Sequence, residues 1–364
     1  MDVLYDAQTF LRQRRGGISR LFAQLISQFD ADPGLGVNVN LPFRWSNNAH
    51  ITHDLSHRRL RKTPSWVPRE VLYGAHLIRR SGGSSPIDLV HHTYYSRQFL
   101  RDRGCTPQVV TVYDMIPELF AGTPNSTGSH LQKRDYVAAC DLVICISDST
   151  RHDMEAVYGS LARNVVTIPL SVDPLFQPGL APIPGLPADY LLYVGKRSGY
   201  KDFELLAPAM AEMRAHGREV PVVAAGAAFT HSELDYLKRW RVADLFSTYE
   251  LADTDLARAY ANATLLVQTS RYEGFGLTPL EGMASGTPVV IADASSMPEV
   301  GGDVAFYFKP GDPEDLARVL SSVLNSDDVR ITASNRGVER ARQFTPRLMA
   351  ERTAAAYRSI LENM

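Results

Sequence analysis

The chain has 364 residues, 45% hydrophobic and 21% charged, which exceeds the size at which one core keeps growing and sets two globular domains as the expectation. Its 38 basic and 40 acidic residues leave a net charge of −2, so no overall field recruits a polyanion and a nucleic-acid partner is disfavoured. The N-terminus MDVLYDAQTF lacks the basic start and apolar stretch of a secretory signal, and no apolar run approaches the roughly 20 residues that span a bilayer, so a cytoplasmic protein is expected.

Along the first half, short β-branched runs alternate with amphipathic stretches, the pattern of a parallel sheet covered by helices. Predicted strands are Val3–Tyr5, Val37–Leu41, Asp88–His91, Val109–Tyr113, Leu142–Ile146 and Val165–Pro169, with helices over Ile18–Phe29 and Ser147–Val157. Of the three cysteines, Cys105, Cys140 and Cys145, the last two border or enter an apolar strand and read as reduced, buried thiols. One segment breaks the rhythm: HRRLRK at 57–62, then Trp66, Val67, Val71, Leu72, Leu77, Ile78 and Arg79–Arg80. Such alternation of basic and apolar residues suits peripheral contact with an anionic membrane, the cytoplasmic face of the inner membrane, and equally an ordinary surface helix.

Prolines 174, 178, 182, 184 and 187 then mark residues 174–188 as an interdomain linker. The β/α alternation restarts with strands Tyr190–Val194, Pro221–Ala225, Leu245–Tyr249, Thr264–Gln268 and Pro288–Ala292, and helices Asp202–Ala215, Ser232–Trp240, Asp255–Tyr260, Pro279–Ala284 and Asp315–Leu324. The expected organisation is a first domain at 1–173, the linker, a second domain at 189–345, and a helix at 346–364 that either finishes the second domain or crosses back to the first.

The strongest local signal is SRYEGFGLTPLE at 270–281, between an apolar strand and a helix. Gly274 and Gly276 remove side chains where a ligand must approach the backbone, and the helix-start N–H groups after Leu277 carry a positive dipole suited to phosphate. Glu273 stands at the mouth of this loop, where a carboxylate can accept hydrogen bonds from sugar hydroxyls. Glu281 can hold a ribose diol in bidentate fashion. It also fits a helix start with Thr278 as N-cap and Pro279 as first helical residue, where it would complete a capping box. After the first strand of the same domain, YVGKRSGYK at 193–201 combines Gly195 at a tight strand exit with Arg197 and Lys201, cations able to neutralise a diphosphate; a solvated basic loop is the ordinary alternative.

Two weaker signals lie in the first half. Gly16 and Gly17 open a helix after Arg14–Arg15, which suggests backbone contact with an anion or sugar. Strand ends carry His91 and the run VYDMIP with Tyr113 and Asp114, polar residues placed to meet an acceptor; Asp114 reads equally as a turn residue and His91 as a satisfied core histidine.

Together these stretches resemble glycosyltransferase family 4, the retaining GT-B enzymes that include bacterial mannosyltransferases of surface-polysaccharide assembly. The likeness is most specific in YVGKRSGYKDFELL, RYEGFGLTPLEGMASGTPVV and MPEVGGDVAFYFKPGD, and looser in the Gly16-Gly17 loop, YDMIP, CISDSTRHDM and VVTIPLSVDP. It implies an α/β fold of GT-B type, two Rossmann-like β/α/β domains facing each other across a donor/acceptor cleft. It further implies Glu273 on the donor sugar, Glu281 on the ribose, and Arg197 with Lys201 on the diphosphate. Backbone N–H groups of Gly17 and of Phe275, Gly276, Leu277 and Thr278 would complete the cradle, and Tyr249, Glu250 and Leu251 would read the base. The implied reaction moves a hexose, GDP-linked and mannose-like by preference, to a glycan or lipid-linked glycan with retained configuration. Tyr113 stands where many relatives carry histidine, which favours Asp114 as the acceptor-side residue and keeps open a non-catalytic nucleotide-sugar sensor or scaffold. An epimerase or phosphorylase of the same architecture is the other alternative; a nicotinamide enzyme is disfavoured because no Gly-x-Gly-x-x-Gly follows the first strand of either half. Asp253-Thr-Asp255 spells an Asp-x-Asp, yet its place at a predicted helix start, with Asp253 as N-cap, leads to the expectation of no metal and no cofactor.

Overall fold

The computed structural model describes residues 1–14, 16–43, 46–53, 55–58, 62–63, 86–100, 106–120 and 132–363. They fall into two compact units, Met1–Ser171 with Pro346–Met364, and Val172–Thr345. Among the described residues each unit holds one six-stranded parallel sheet.

In the first unit the strands are β1 Asp2–Tyr5, β2 Asn38–Asn40, β3 Leu89–His92, β4 Gln108–Val112, β5 Leu142–Cys145 and β6 Val165–Thr167, in the order β2-β1-β3-β4-β5-β6. Every residue of β3, β4 and β5 is buried, as a central parallel sheet covered on both faces requires. Helix Gly17–Ala31 buries Leu21, Phe22, Leu25, Ile26 and Phe29, spaced three and four apart on one face. The last helix, Pro346–Glu362, repeats the device with Met349, Thr353, Tyr357 and Ile360. Its Tyr357 hydroxyl lies 2.5 Å from His91 Nδ1 and 3.0 Å from the Tyr5 hydroxyl, so this helix is part of the first unit's core. Cys140 and Cys145 are buried, and burial pushes the Cys145 thiol up to about 12; Cys105 lies outside the described residues.

The second unit has β7 Leu191–Val194, β8 Val222–Ala225, β9 Phe246–Tyr249, β10 Leu265–Gln268, β11 Val289–Ala292 and β12 Phe306–Phe308, in the order β12-β11-β10-β7-β8-β9. The chain runs outward from β7 through β8 to β9, then returns to lay β10 against the other side of β7. The loops leaving β7 and β10 therefore diverge from a topological switch point, where open α/β sheets bind ligands.

Three features depart from sequence expectation. The proline-rich stretch is strapped to the second unit: Arg258 donates to the carbonyls of Ala181 and Pro182, Asn262 to that of Leu180, and the Tyr249 hydroxyl to that of Gly185. Strand β12 was hidden in an unpatterned Phe-Tyr-Phe. Helix Asp327–Ala341 buries only Ala333, Gly337 and Ala341, a stripe of small residues without apolar periodicity, and Gly337 lets it close onto Met283. Among the described residues no helix is long and apolar enough to cross a membrane. Most of the basic and apolar segment at 57–80 lies outside the described residues; His57 and Arg58 both pair with Asp30.

Candidate active site

The loop after β10 is built around a glycine that only glycine fits well. Gly276 has φ +109°, a backbone that side chains rarely adopt, and a Cβ there would only touch Met297 and Pro279 at 3.4 Å. It ends the loop and begins helix Leu277–Ala284. That helix lies tight on the sheet: a Cβ on Gly282 would come within 2.8 Å of Leu266 and 3.1 Å of Val289. The helix start is thus fixed over the ends of β10 and β11, with its first N–H groups and positive dipole at the carboxyl edge.

Glu273 is gripped from three sides. Its N–H donates to Ser295 Oγ at 2.8 Å, and its carbonyl accepts from Ser296 Oγ at 2.9 Å. Lys201 Nζ donates to Glu273 Oε1 at 2.5 Å, and Gln268 Nε2 donates to the same oxygen at 2.9 Å. Ser295 holds its grip from a left-handed backbone, φ +48°, strain of the kind that persists where surrounding structure enforces it. The β7 and β10 exit loops are laced together by Thr269 Oγ1 donating to the Lys201 carbonyl and Arg271 N–H donating to that of Tyr200. Lys201 and Glu273, 72 positions apart, are therefore brought together as a pair.

Arg197 is engaged elsewhere. Its Nε donates to Glu233 Oε1 at 2.7 Å, its Nη2 to Glu233 Oε2 and to the Ala228 carbonyl, and the guanidinium lies 4.8 Å from the Phe229 ring centre. Partial burial would raise the Glu233 carboxyl, but hydrogen bonds from Arg197 and Thr230 hold it below its ordinary value. Gly195, with φ +147°, provides the strand exit that presents these cations.

Glu281 is not a helix cap. The helix begins at Leu277 with Gly276 as N-cap, so Thr278 and Pro279 are second and third helical residues and Glu281 sits a turn further in. Its Oε2 accepts from the Tyr260 hydroxyl at 2.9 Å, and the residue is 9% exposed. Phe275 is buried edge-on to Phe344. Tyr249 ends β9, and Glu250 and Leu251 follow it, with Glu250 exposed. Asp253 is likewise not an N-cap: Ala252 holds that position, and Asp253 and Asp255 lie in the first turn, Asp255 paired with Arg258 at 2.9 Å. Among the described residues no group of three or more His, Cys, Asp or Glu is arranged to hold a metal.

In the first unit, two of the acceptor-side candidates are packed into the core. His91 is 1% exposed and bonded through both ring nitrogens, to Tyr357 and to Thr111 Oγ1; burial, with His92 close by, pushes its pKa down to about 3, so it is a neutral core histidine. Tyr113 is buried, its hydroxyl donating to the Thr93 carbonyl at 2.9 Å, and is spent on the core. Asp114 keeps 29% of its side chain exposed; its Oδ1 accepts the Ile116 N–H. Lys133, missed by sequence reading because a single lysine in a polar run carries no signal, is 1% exposed and donates to the Asp114 carbonyl and to Glu118. Gly16 is the N-cap and Gly17 the first residue of their helix, and Gln13 Oε1 already accepts the Ser19 N–H of that first turn.

Sucrose-phosphate synthase from Thermosynechococcus elongatus superposes with a TM-score of 0.73 at 18% identity, covering 100% of both chains. Anabaena HepE, solved with UDP and glucose, gives 0.71 at 19% identity over 99% of this chain and 100% of that one. The fold is that of the GT-B glycosyltransferases. Residues 15–175 match Glycosyltransferase Family 4, and residues 186–344 match Glycosyl transferases group 1. The chain is a glycosyltransferase, its first part matching Family 4 and its second part group 1. It is 27% identical to the O-antigen chain mannosyltransferase B of Escherichia coli over 295 residues, 74% of this chain and 75% of the relative. It is 29% identical to a D-inositol 3-phosphate glycosyltransferase of Kribbella flavida over 306 residues, 76% and 72% respectively.

Proposed function

We propose that the protein transfers a hexose, GDP-linked and mannose-like by preference, from a nucleotide-diphosphate donor to a glycan or lipid-linked glycan of a surface polysaccharide, with retained anomeric configuration and without a metal. The observation that carries this reading is the Lys201–Glu273 pair at the switch point, beside a glycine-flanked helix start. The chemistry needs both members. The bond from the sugar's anomeric carbon to the phosphate oxygen breaks, the acceptor oxygen bonds that carbon on the same face, and the acceptor's proton passes to the departing phosphate. Lys201 and the helix-start N–H groups stabilise the charge on the leaving diphosphate, while Glu273 fixes the sugar through its hydroxyls. Glu281 takes the ribose, the segment at Tyr249 to Leu251 takes the base, and Asp114 is assigned to the acceptor hydroxyl. The mannosyltransferase relative favours the mannose-like donor, and the UDP complexes of HepE favour the nucleotide class.

Thermal melting against GDP-mannose, UDP-glucose and dTDP-glucose tests this, because a ligand that binds only the folded state raises its stability by mass action. GDP-mannose is expected to give the largest rise. No rise with any of the three overturns the proposal.

A further inference from the structure

Gln268, the last residue of β10, is fully buried, yet its amide faces the Glu273 carboxylate. Nε2 donates to Glu273 Oε1 at 2.9 Å and to Ser270 Oγ at 2.7 Å, which uses both amide hydrogens. The orientation is dictated by charge, since turning the amide over would set its carbonyl oxygen against the carboxylate. The consequence is an orphan: among the described residues Gln268 Oε1 has no hydrogen-bond partner, although it is shielded from solvent. A buried acceptor without a partner destabilises the fold. An apolar side chain of similar volume in this strand would avoid that loss, so what the amide does for Glu273 is the feature that stability alone does not account for.

We propose that Gln268 is a positioning residue for sugar recognition, acting through Glu273 rather than by touching the donor. With Lys201 and Gln268 both on Oε1, the carboxylate is held in one rotamer and its Oε2 is presented for a donor hydroxyl. Lys201 alone is a poor clamp, because its flexible ammonium must also serve the diphosphate. When the diphosphate draws Lys201 away, Gln268 keeps Glu273 in place. This inference rests on the reading of Glu273 as the sugar-binding carboxylate.

The test compares affinity for GDP-mannose with affinity for GDP, by calorimetry, in Gln268→Met, Glu273→Ala and the double variant. Gln268→Met is expected to weaken GDP-mannose about tenfold, as loss of a charged hydrogen bond does, with GDP unchanged and the melting temperature unchanged or higher. The double variant is expected to bind GDP-mannose no worse than Glu273→Ala, because both remove one interaction. Equal weakening of GDP and GDP-mannose, additive losses in the double variant, or wild-type binding by Gln268→Met overturns the proposal while leaving Glu273 in its role. Wild-type binding of GDP-mannose by Glu273→Ala overturns both. Gln268→Glu provides a second route if the methionine variant does not fold. A protonated glutamate donates to Glu273 as the amide does, so its GDP-mannose affinity is expected to approach wild type near about pH 5 and to fall by about pH 8, when two facing carboxylates repel. A pH-independent affinity overturns the proposal.

Discussion

Lys201→Met removes the ammonium while keeping most of the apolar stem. The lost charge stands 2.5 Å from Glu273 Oε1, and the two side chains are only 16% and 14% exposed, so solvent screens the pair weakly. Removing one electrostatic donor from developing charge on a leaving group typically lowers kcat by about 10²–10³, or about 3–4 kcal/mol of transition-state stabilisation. The folded state suffers less. Breaking a fully buried ion pair costs about 3–5 kcal/mol, but Glu273 keeps the Gln268 hydrogen bond and some solvent contact, so about 1–2 kcal/mol is expected. The assay is release of nucleoside diphosphate from the donor in the presence of acceptor, with a denaturation curve on the same sample. A kcat within about threefold of wild type would refute this role for Lys201, since that is too small a change for a lost charge contact at the reacting phosphate.

Gly276→Ala forces a side chain into a left-handed backbone against Met297 and Pro279, and a cost of about 1–3 kcal/mol is expected as a lower melting temperature together with weaker nucleotide binding. Tyr260→Phe deletes the hydrogen bond that orients the Glu281 carboxylate; GDP affinity measured by calorimetry is expected to fall about fivefold to tenfold. His91 is held neutral, with a folded pKa near 3 against an ordinary value of 6.5. The unfolded chain therefore binds the extra proton between those values, so this contribution is complete above about pH 6.5 and is lost at up to about 1.4 kcal/mol per pH unit as the pH falls towards 3. Urea denaturation of wild type and His91→Gln at pH 7 and pH 5 checks the sign: the variant should lose less stability than wild type on acidification.

The two sheets were legible because eleven of the strand regions alternate with helices whose apolar residues recur at three and four, as in Leu21, Leu25 and Phe29. What escaped lacks that signal: β12 is three aromatic residues long, and helix Asp327–Ala341 packs through Ala333, Gly337 and Ala341. At the site, the glycines and charges of 193–201 and 270–281 announced themselves, but their pairing did not. Spacing could not reveal that Lys201 meets Glu273 while Arg197 turns to Glu233, because those contacts depend on the order in which β10, β7 and β8 lie side by side. Thr278 and Pro279 imitated a helix start that the backbone places at Gly276, since a glycine in the left-handed region caps without a side chain. Gln268 was invisible for a further reason: a polar residue closing an apolar strand reads as the strand's end, and only its burial against a carboxylate distinguishes it.

Recognition of the donor sugar by Glu273 is measured most directly by single-turnover transfer from GDP-mannose in wild type and Glu273→Ala. The variant is expected to bind GDP as wild type does but to transfer sugar at least about a hundredfold more slowly, because the contact it loses, already made to the bound sugar, is stronger in the transition state. Transfer at the wild-type rate by a folded Glu273→Ala protein would contradict it.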